Sequence, residues 1–118
     1  MNWIPLTTSD QLVEIKEQSN QQPVLLFKHS TTCSISKTSL NRLERNWHEE
    51  EMKGTKAYYL DLLTYRSISN EIAQLFGVEH QSPQVLIIQK GKSVFDRSHF
   101  DIDYTTIKNQ LAGLHAKN

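Results

Sequence analysis

The sequence contains a single cysteine among 118 residues, and this scarcity restricts the redox chemistry that the chain can perform. One thiol cannot form a disulfide within its own chain, so the disulfide-rich scaffolds of small secreted proteins are excluded. Any thiol–disulfide reaction of Cys33 must therefore involve a sulfur atom from another molecule. We expect a protein of a reducing compartment and predict a cytoplasmic location.

Long hydrophobic runs and an excess of either charge are also missing. The apolar runs reach four or five residues, whereas a membrane-spanning helix needs about 20. Lysine plus arginine equal aspartate plus glutamate, at 13 each, so the net charge gives no general attraction to nucleic acid or to an anionic membrane. Residues 1–5 lack the basic start and apolar segment of a signal peptide. We expect neither nucleic acid nor a membrane as partner, and we expect a monomer.

Glycine-rich loops and clustered metal ligands are absent from the sequence as well. The four glycines form no phosphate-binding loop. The histidines are scattered without the spacing of metal ligands, so we predict no metal site and no bound cofactor. A chain of this length has room for one hydrophobic core, and we predict a single domain over residues 1–118.

Apolar runs alternate with helix-like segments along the whole chain. Strands are predicted at 3–7, 23–28 and 57–62, directly after Pro83, and at 93–96. Helices are predicted after a capping box at 8–11 to about residue 18, from 34 to about 51, at 67–76 and at 103–114. The order βαβαβαββα predicts an α/β fold with a mixed central sheet and helices on both faces.

The lone cysteine is predicted to lie at the start of the second helix, directly after a buried strand and a short polar turn. Unpaired backbone N–H groups and the positive end of the helix dipole stabilise a thiolate at such a position. The alternative is a buried and inert thiol, as many free cysteines are. A reactive thiol is favoured because the neighbouring residues are small and polar, namely Ser30, Thr31, Thr32, Ser34 and Ser36.

The segment Cys33-Ser34-Ile35-Ser36 has serine where a dithiol motif would have its second cysteine. The Ser36 hydroxyl can donate a hydrogen bond to a thiolate but cannot displace a sulfur, so a monothiol cycle is predicted. The alternative for Ser36 is a solvated serine in the first helical turn. Thr32, Ser34 and Ser36 are thus candidates to stabilise the thiolate or to bind substrate.

Three basic residues lie close to the cysteine in sequence. Lys37 follows Cys33 by one helical turn and can share its face. Lys28 and His29 end the preceding strand, where alternation directs their side chains to opposite faces. At least one of the three is expected to lower the thiol pKa or to meet an anionic substrate group. The alternatives are a solvated Lys37 and a packed His29.

Two segments, 27–36 and 80–85, together resemble those of the monothiol bacilliredoxin family, also called the YtxJ family, within the thioredoxin-like superfamily. The resemblance implies a thioredoxin-like fold in which Cys33 is the nucleophile and the Ser82–Pro83 bond is cis. The backbone of Ser82 would then pair with an extended substrate. It also implies removal or exchange of bacillithiol on S-bacillithiolated client proteins, with bacillithiol as the thiol co-substrate.

The chain departs from that family at Ser34, where proline usually follows the cysteine. Proline suits the first turn of a helix because its fixed φ fits and its missing N–H has no partner there. Ser34 adds one N–H beside the thiolate, and we expect this residue to tune the acidity of the thiol rather than to remove its reactivity.

Two other functions are compatible with these features. One is a glutaredoxin-like monothiol protein that uses glutathione, although Cys-Ser-Ile-Ser and the segment 90–92 differ from the motifs of the cluster-binding members. The other is a non-enzymatic thioredoxin-fold module that binds an unmodified protein in the proline groove.

Overall fold

A computed structural model describes residues 3–116. These residues form five strands, which are β1 (Ile4–Pro5), β2 (Val24–His29), β3 (Lys56–Asp61), β4 (Gln84–Gln89) and β5 (Lys92–Ser98). They also form four α-helices and one 3-10 helix, which are α1 (Asp10–Gln18), α2 (Ser34–Asn46), α3 (Arg66–Phe76), the 3-10 helix (His99–Asp101) and α4 (Tyr104–Ala116). The predicted element order is confirmed, and the 3-10 helix is an addition to it.

The five strands form one mixed sheet in the order β1-β3-β2-β4-β5. The first three strands are parallel, whereas β4 runs antiparallel to β2 and β5 antiparallel to β4. All six residues of β2 are buried, as its unbroken apolar run predicts for a central strand covered on both faces. The predicted mixed α/β fold is therefore confirmed.

Alternate residues of β2 belong to two separate hydrophobic layers. Leu26 lies in a layer with residues of α1 and α3, such as Ile15 and Ile72. Leu25 lies in the opposite layer with residues of α2 and α4, such as Leu43 and Ile107. Each fully buried side chain of this kind contributes about 1.5–3 kcal/mol of transfer free energy. The two layers fix the helices on both faces and bring the end of β2 to the start of α2.

Helix α2 is shorter than its apolar spacing predicts. The helix ends at Asn46, because Trp47 adopts an extended conformation with φ −70° and ψ 132°. Its ring still packs against the rings of Trp3 and Tyr104, at centroid distances of 5.7 and 6.0 Å. The predicted end near residue 51 was wrong. Trp47 continues the apolar spacing of the helix, but it contacts the core from a position beyond the helix end.

The segment before α1 forms half of the predicted capping box. The side-chain oxygen of Gln11 accepts hydrogen bonds from the backbone N–H groups of Thr7 and Thr8, at 2.7 and 3.1 Å. The residue at the N-cap is Ser9, and its side chain makes no capping bond.

β1 is confined to Ile4–Pro5, shorter than predicted. Within residues 3–116, no helix has the length and apolar character needed to cross a membrane.

Candidate active site at Cys33

Cys33 is the N-cap residue of α2. Its backbone is extended, with φ −96° and ψ 122°, and its carbonyl accepts the first helical bond from Lys37 N at 3.0 Å. A tight turn precedes it, closed by a bond of 3.2 Å from Cys33 N–H to the carbonyl of Ser30. The thiol is partly exposed. The predicted position at a helix start is confirmed, and it combines accessibility with the positive end of the helix dipole.

The residues immediately around the thiol are open to solvent. Thr32 and Ser34 are exposed on either side of Cys33, and Lys37 is exposed one turn later. Lys37 is therefore solvated, which was the alternative considered for it. These three side chains border the face from which a disulfide can approach Cys33, and their part in binding a substrate stays a prediction.

Ser36 is fully buried, so its interpretation as a solvated serine was wrong. Its Oγ accepts a hydrogen bond of 3.0 Å from Ser30 N–H and lies 2.7 Å from His29 Nδ1. These contacts join the end of β2, the turn and the first turn of α2. Ser36 thus fixes the turn that carries Cys33, whereas its predicted bond to the thiolate is not among its contacts.

His29 is a packed histidine, on the same side of the sheet as α2. Its ring lies 5.6 Å from the ring of Tyr59 and 6.2 Å from that of Phe27, measured between centroids. Burial lowers the pKa of His29, an effect that Asp61 and Glu44 oppose and Lys37 reinforces. A neutral ring near pH 7 leaves one nitrogen to accept and one to donate, which suits the short contact with Ser36.

Lys28 points to the opposite face, as strand alternation predicts, and it is also buried. Its Nζ donates to the carbonyl of Ser69 at 3.3 Å and lies 3.4 Å from His80 Nδ1. Burial lowers the pKa of Lys28 to about 8. The ammonium therefore belongs to the interior beside α3 rather than to the surface around the thiol.

The Ser82–Pro83 peptide bond is cis, as the family resemblance implies. Pro83 directly precedes Gln84, and Gln84 pairs with Lys28 near the end of β2. Because Cys33 follows the same end of β2, the cis bond and the thiol lie at one edge of the sheet. The hydroxyl oxygen of Ser82 is buried and has no hydrogen-bond partner among residues 3–116.

A chain of hydrogen bonds connects the cis bond to α2. His99 N–H donates to the carbonyl of Pro83 at 3.0 Å, and the carbonyl of His99 accepts from Ser39 Oγ at 3.2 Å. Sequence reasoning missed Ser39, His99 and Gln84 as parts of this site. The one available signal was a polar glutamine directly before the apolar run of β4.

The edge that carries Cys33 is open rather than enclosed. Cys33 lines none of the four principal cavities, of which the one between α1 and α3 measures about 590 Å³. Within residues 3–116, no three metal-ligating side chains of histidine, cysteine, aspartate or glutamate come together. An open thiol with flanking hydroxyls and a cis bond nearby is suited to exchange with a disulfide on a macromolecule.

Comparisons with known proteins agree with this arrangement. A solved protein with a thioredoxin fold, inferred to be an oxidoreductase, shares 30% identity over 90% of both chains with a TM-score of 0.76. Thioredoxin of Trypanosoma brucei brucei matches over 98% of this chain and 92% of its own, at 16% identity and a TM-score of 0.71. Thioredoxin of Fasciola hepatica matches over 92% and 96%, at 16% identity and 0.66. The family model of monothiol bacilliredoxin BrxC matches residues 4–107. The chain therefore belongs to the monothiol bacilliredoxin family and has a thioredoxin fold.

Proposed function

We propose that this protein is a monothiol thiol–disulfide oxidoreductase that removes bacillithiol from mixed disulfides on client proteins through Cys33. The observation that carries the proposal is a single accessible thiol at the N-cap of α2, in a chain of the monothiol bacilliredoxin family. We place the reaction in the cytoplasm, where a single unpaired thiol stays reduced.

The reaction consists of two exchanges that together conserve every sulfur and electron pair. The Cys33 thiolate attacks the bacillithiol sulfur of the client, a Cys33–bacillithiol bond forms, and the client thiolate leaves and takes up a proton. A second bacillithiol thiolate then attacks the bacillithiol sulfur held on Cys33. Bacillithiol disulfide leaves, and the Cys33 thiolate is regenerated. The client cysteine is reduced, and one free bacillithiol is oxidised as it joins the transferred bacillithiol in the disulfide.

The start of α2 supplies the features that the first exchange requires. Free N–H groups and the helix dipole stabilise the thiolate both before attack and after its release. The backbone N–H of Ser34, which the usual family proline lacks, adds to this set of donors.

Substrate binding is assigned to both sides of Cys33. Lys37 and the hydroxyls of Thr32 and Ser34 are exposed beside the thiol, where the anionic malate group of bacillithiol would lie. On the other side, the Ser82 backbone before Pro83 would pair with an extended segment of the client. Bacillithiol is thus a co-substrate rather than a bound cofactor.

The absence of a second thiol determines how the cycle ends. Ser36 occupies the position of a resolving cysteine, and its hydroxyl contacts Ser30 and His29 in the interior. No internal group displaces bacillithiol from Cys33, so an external thiol must complete the reaction.

An exchange assay tests the proposal on one client prepared with two different mixed disulfides. The client carries either bacillithiol or glutathione, and the appearance of its free thiol is followed over time. We expect faster release from the bacillithiol adduct and no release with Cys33→Ser, which retains the size of the side chain. Equal rates on both adducts, or full activity in Cys33→Ser, would contradict the proposed function.

A further inference from the structure

Two buried polar side chains stand opposite each other where β2 ends and β4 begins. Lys28 and Gln84 are cross-strand partners, and each is only 1% exposed. Lys28 continues the side of β2 that carries Leu26, a member of the layer formed with α1 and α3. These two polar residues adjoin the apolar runs 24–27 of β2 and 85–88 of β4.

The contacts of this pair converge on the segment 79–81, directly before the cis bond. Gln84 Nε2 donates to the carbonyl of Glu79 at 3.0 Å, and Gln81 N–H donates to Gln84 Oε1 at 3.4 Å. From the neighbouring strand, Lys28 Nζ lies 3.4 Å from His80 Nδ1. Three consecutive residues of the loop are thus each held by one of two buried side chains.

Helix α3 completes this arrangement. The carbonyl of Ser69 accepts from Lys28 Nζ at 3.3 Å, and Ser69 Oγ lies 3.3 Å from His80 Nδ1. Burial and the cations Lys28 and Arg66 all lower the pKa of His80, which favours its neutral form. Because an ammonium group can only donate, Nδ1 is the acceptor in its contact with Lys28.

The ammonium of Lys28 is energetically unfavourable at this buried position. Its partners are neutral, and no carboxylate within residues 3–116 compensates its ammonium. Burying a cation without a counter-charge destabilises the folded state, and an apolar side chain of similar length would fit the same layer without that penalty. Local rules of packing are violated in this way mainly where function requires it.

We propose that Lys28 and Gln84 are positioning residues that clamp the segment 79–81 and so hold the Ser82 backbone and Pro83 in place for an extended client. The clamp works from the side of α3, while His99 holds Pro83 from the side of α2. Neither residue touches the thiol, so the clamp acts on how a peptide is aligned and leaves the intrinsic reactivity of Cys33 unchanged.

The clamp rests on the proposed function only in requiring that an extended peptide lies along the cis bond during exchange. Its test therefore uses a peptide whose cysteine is joined to 5-thio-2-nitrobenzoate. The Cys33 thiolate attacks the peptide sulfur, a Cys33–peptide disulfide forms, and coloured thionitrobenzoate leaves with the electron pair. A neutral reagent, iodoacetamide, reports the reactivity of the thiol alone in the same samples.

The variants are Lys28→Met and Gln84→Leu, which remove the polar groups and keep similar volumes. Leu26→Ala is the matched control, because it opens a cavity two residues earlier on the same face without touching the loop. We expect both clamp variants to lower the ratio of the peptide reaction rate to the alkylation rate about 10-fold. A poorly aligned peptide presents its sulfur to Cys33 less often in the orientation needed for attack. Leu26→Ala should leave this ratio within about two-fold of the wild type. Hydrogen exchange at the amides of 79–82 should become faster in Lys28→Met and stay slow in β4.

Three outcomes would overturn the clamp. An unchanged ratio in both clamp variants would remove any role of the pair in alignment. An equal loss in Leu26→Ala would show that any change of packing in this layer lowers the ratio, without a specific role of the pair. A parallel change in alkylation would show that Lys28 acts on the thiol. None of these outcomes depends on whether bacillithiol or another small thiol is the natural co-substrate, so failure of the clamp and failure of the proposed function are distinguishable.

Discussion

Lys28 and His29 are consecutive residues of one strand, yet they enter two different environments. The imidazole of His29 meets a hydroxyl at 2.7 Å and can become neutral near physiological pH. The ammonium of Lys28 meets only a carbonyl and an imidazole, and it has no counter-charge within residues 3–116. His29 and Ser36 secure the turn that carries Cys33, whereas Lys28 secures the loop that carries Pro83. The two sides of the site are thus held by neighbouring residues of one strand that have opposite effects on the stability of the folded protein.

The largest expected effect is a gain of stability in Lys28→Met, because this change removes the uncompensated cation. The pKa of Lys28 is lowered from 10.5 to about 8 in the folded protein. Below pH 8, we expect the variant to exceed the wild type by about 2 kcal/mol in free energy of unfolding. Urea unfolding at pH 7 measures this difference.

The pH dependence of the same difference follows from proton linkage. Between pH 8 and 10, the unfolded chain binds more protons at Lys28 than the folded chain, so the wild type gains stability as pH rises. The advantage of Lys28→Met should therefore shrink over this range. Lys56→Met, at an exposed lysine of β3, is the control and should show no such trend. If the difference in free energy of unfolding between Lys28→Met and the wild type stays constant between pH 8 and 10, the interpretation that Lys28 carries an uncompensated buried charge is wrong.

The next effect, of opposite sign, is expected on the other face. Ser36→Ala removes the acceptor of Ser30 N–H and the partner of His29, and both groups stay buried. We expect a loss of about 1–2 kcal/mol in free energy of unfolding. Ser34→Ala, two residues earlier and exposed, should change it by less than about 0.5 kcal/mol. Equal effects of the two alanine variants, measured by urea unfolding, would mean that the buried hydroxyl does not secure the turn.

A smaller effect is expected at Ser34, the first residue of α2. Ser34→Pro introduces a residue whose fixed φ suits a helix start, and it should stabilise the protein by about 0.4–1 kcal/mol through a stiffer unfolded chain. The variant also removes one N–H donor from the start of the helix, so alkylation of Cys33 by iodoacetamide at pH 7 should become slightly slower. The alkylation rate at fixed pH measures this reactivity, with Ser34→Ala as the control variant that keeps the N–H. Faster alkylation of Cys33 in Ser34→Pro than in Ser34→Ala would contradict this interpretation.

The smallest effect is expected at the exposed Lys37. Lys37→Ala should slow exchange with a bacillithiol mixed disulfide by about two-fold, since exposed charge pairs contribute only about 0.2–1 kcal/mol. The difference should disappear in high salt, where exposed charges are screened. Lys53→Ala, at another exposed lysine, is the control. A salt-independent loss in Lys37→Ala would indicate a packing role instead.

Much of this fold is predictable because local sequence patterns and the global packing agree. The unbroken apolar run of β2 and the alternation of Lys28 and His29 both describe the structure correctly. The end of α2 is different: Trp47 continues the helical spacing but reaches the core from an extended backbone. Periodicity reports which residues are buried, and it does not report the conformation from which they reach the core.

The site is predictable where it depends on neighbours in sequence and hidden where it depends on distant ones. Cys33 at the start of α2 follows from the strand, the turn and the helix that adjoin it. The burial of Ser36 and the contacts of Lys28 depend on segments that are distant in sequence, namely β2, α3 and the loop before Pro83. A pattern within one segment does not predict such contacts. The roles of Thr32, Ser34, Lys37 and Ser82 toward a substrate stay predictions for the assays above.

The most direct test of the central claim is the mass of the protein after reaction with a bacillithiolated client. We expect one bacillithiol to be added to Cys33 and released again by free bacillithiol, and we expect no added mass in Cys33→Ala. A client that loses bacillithiol while Cys33 stays unmodified throughout, or an adduct that forms equally in Cys33→Ala, would contradict the account.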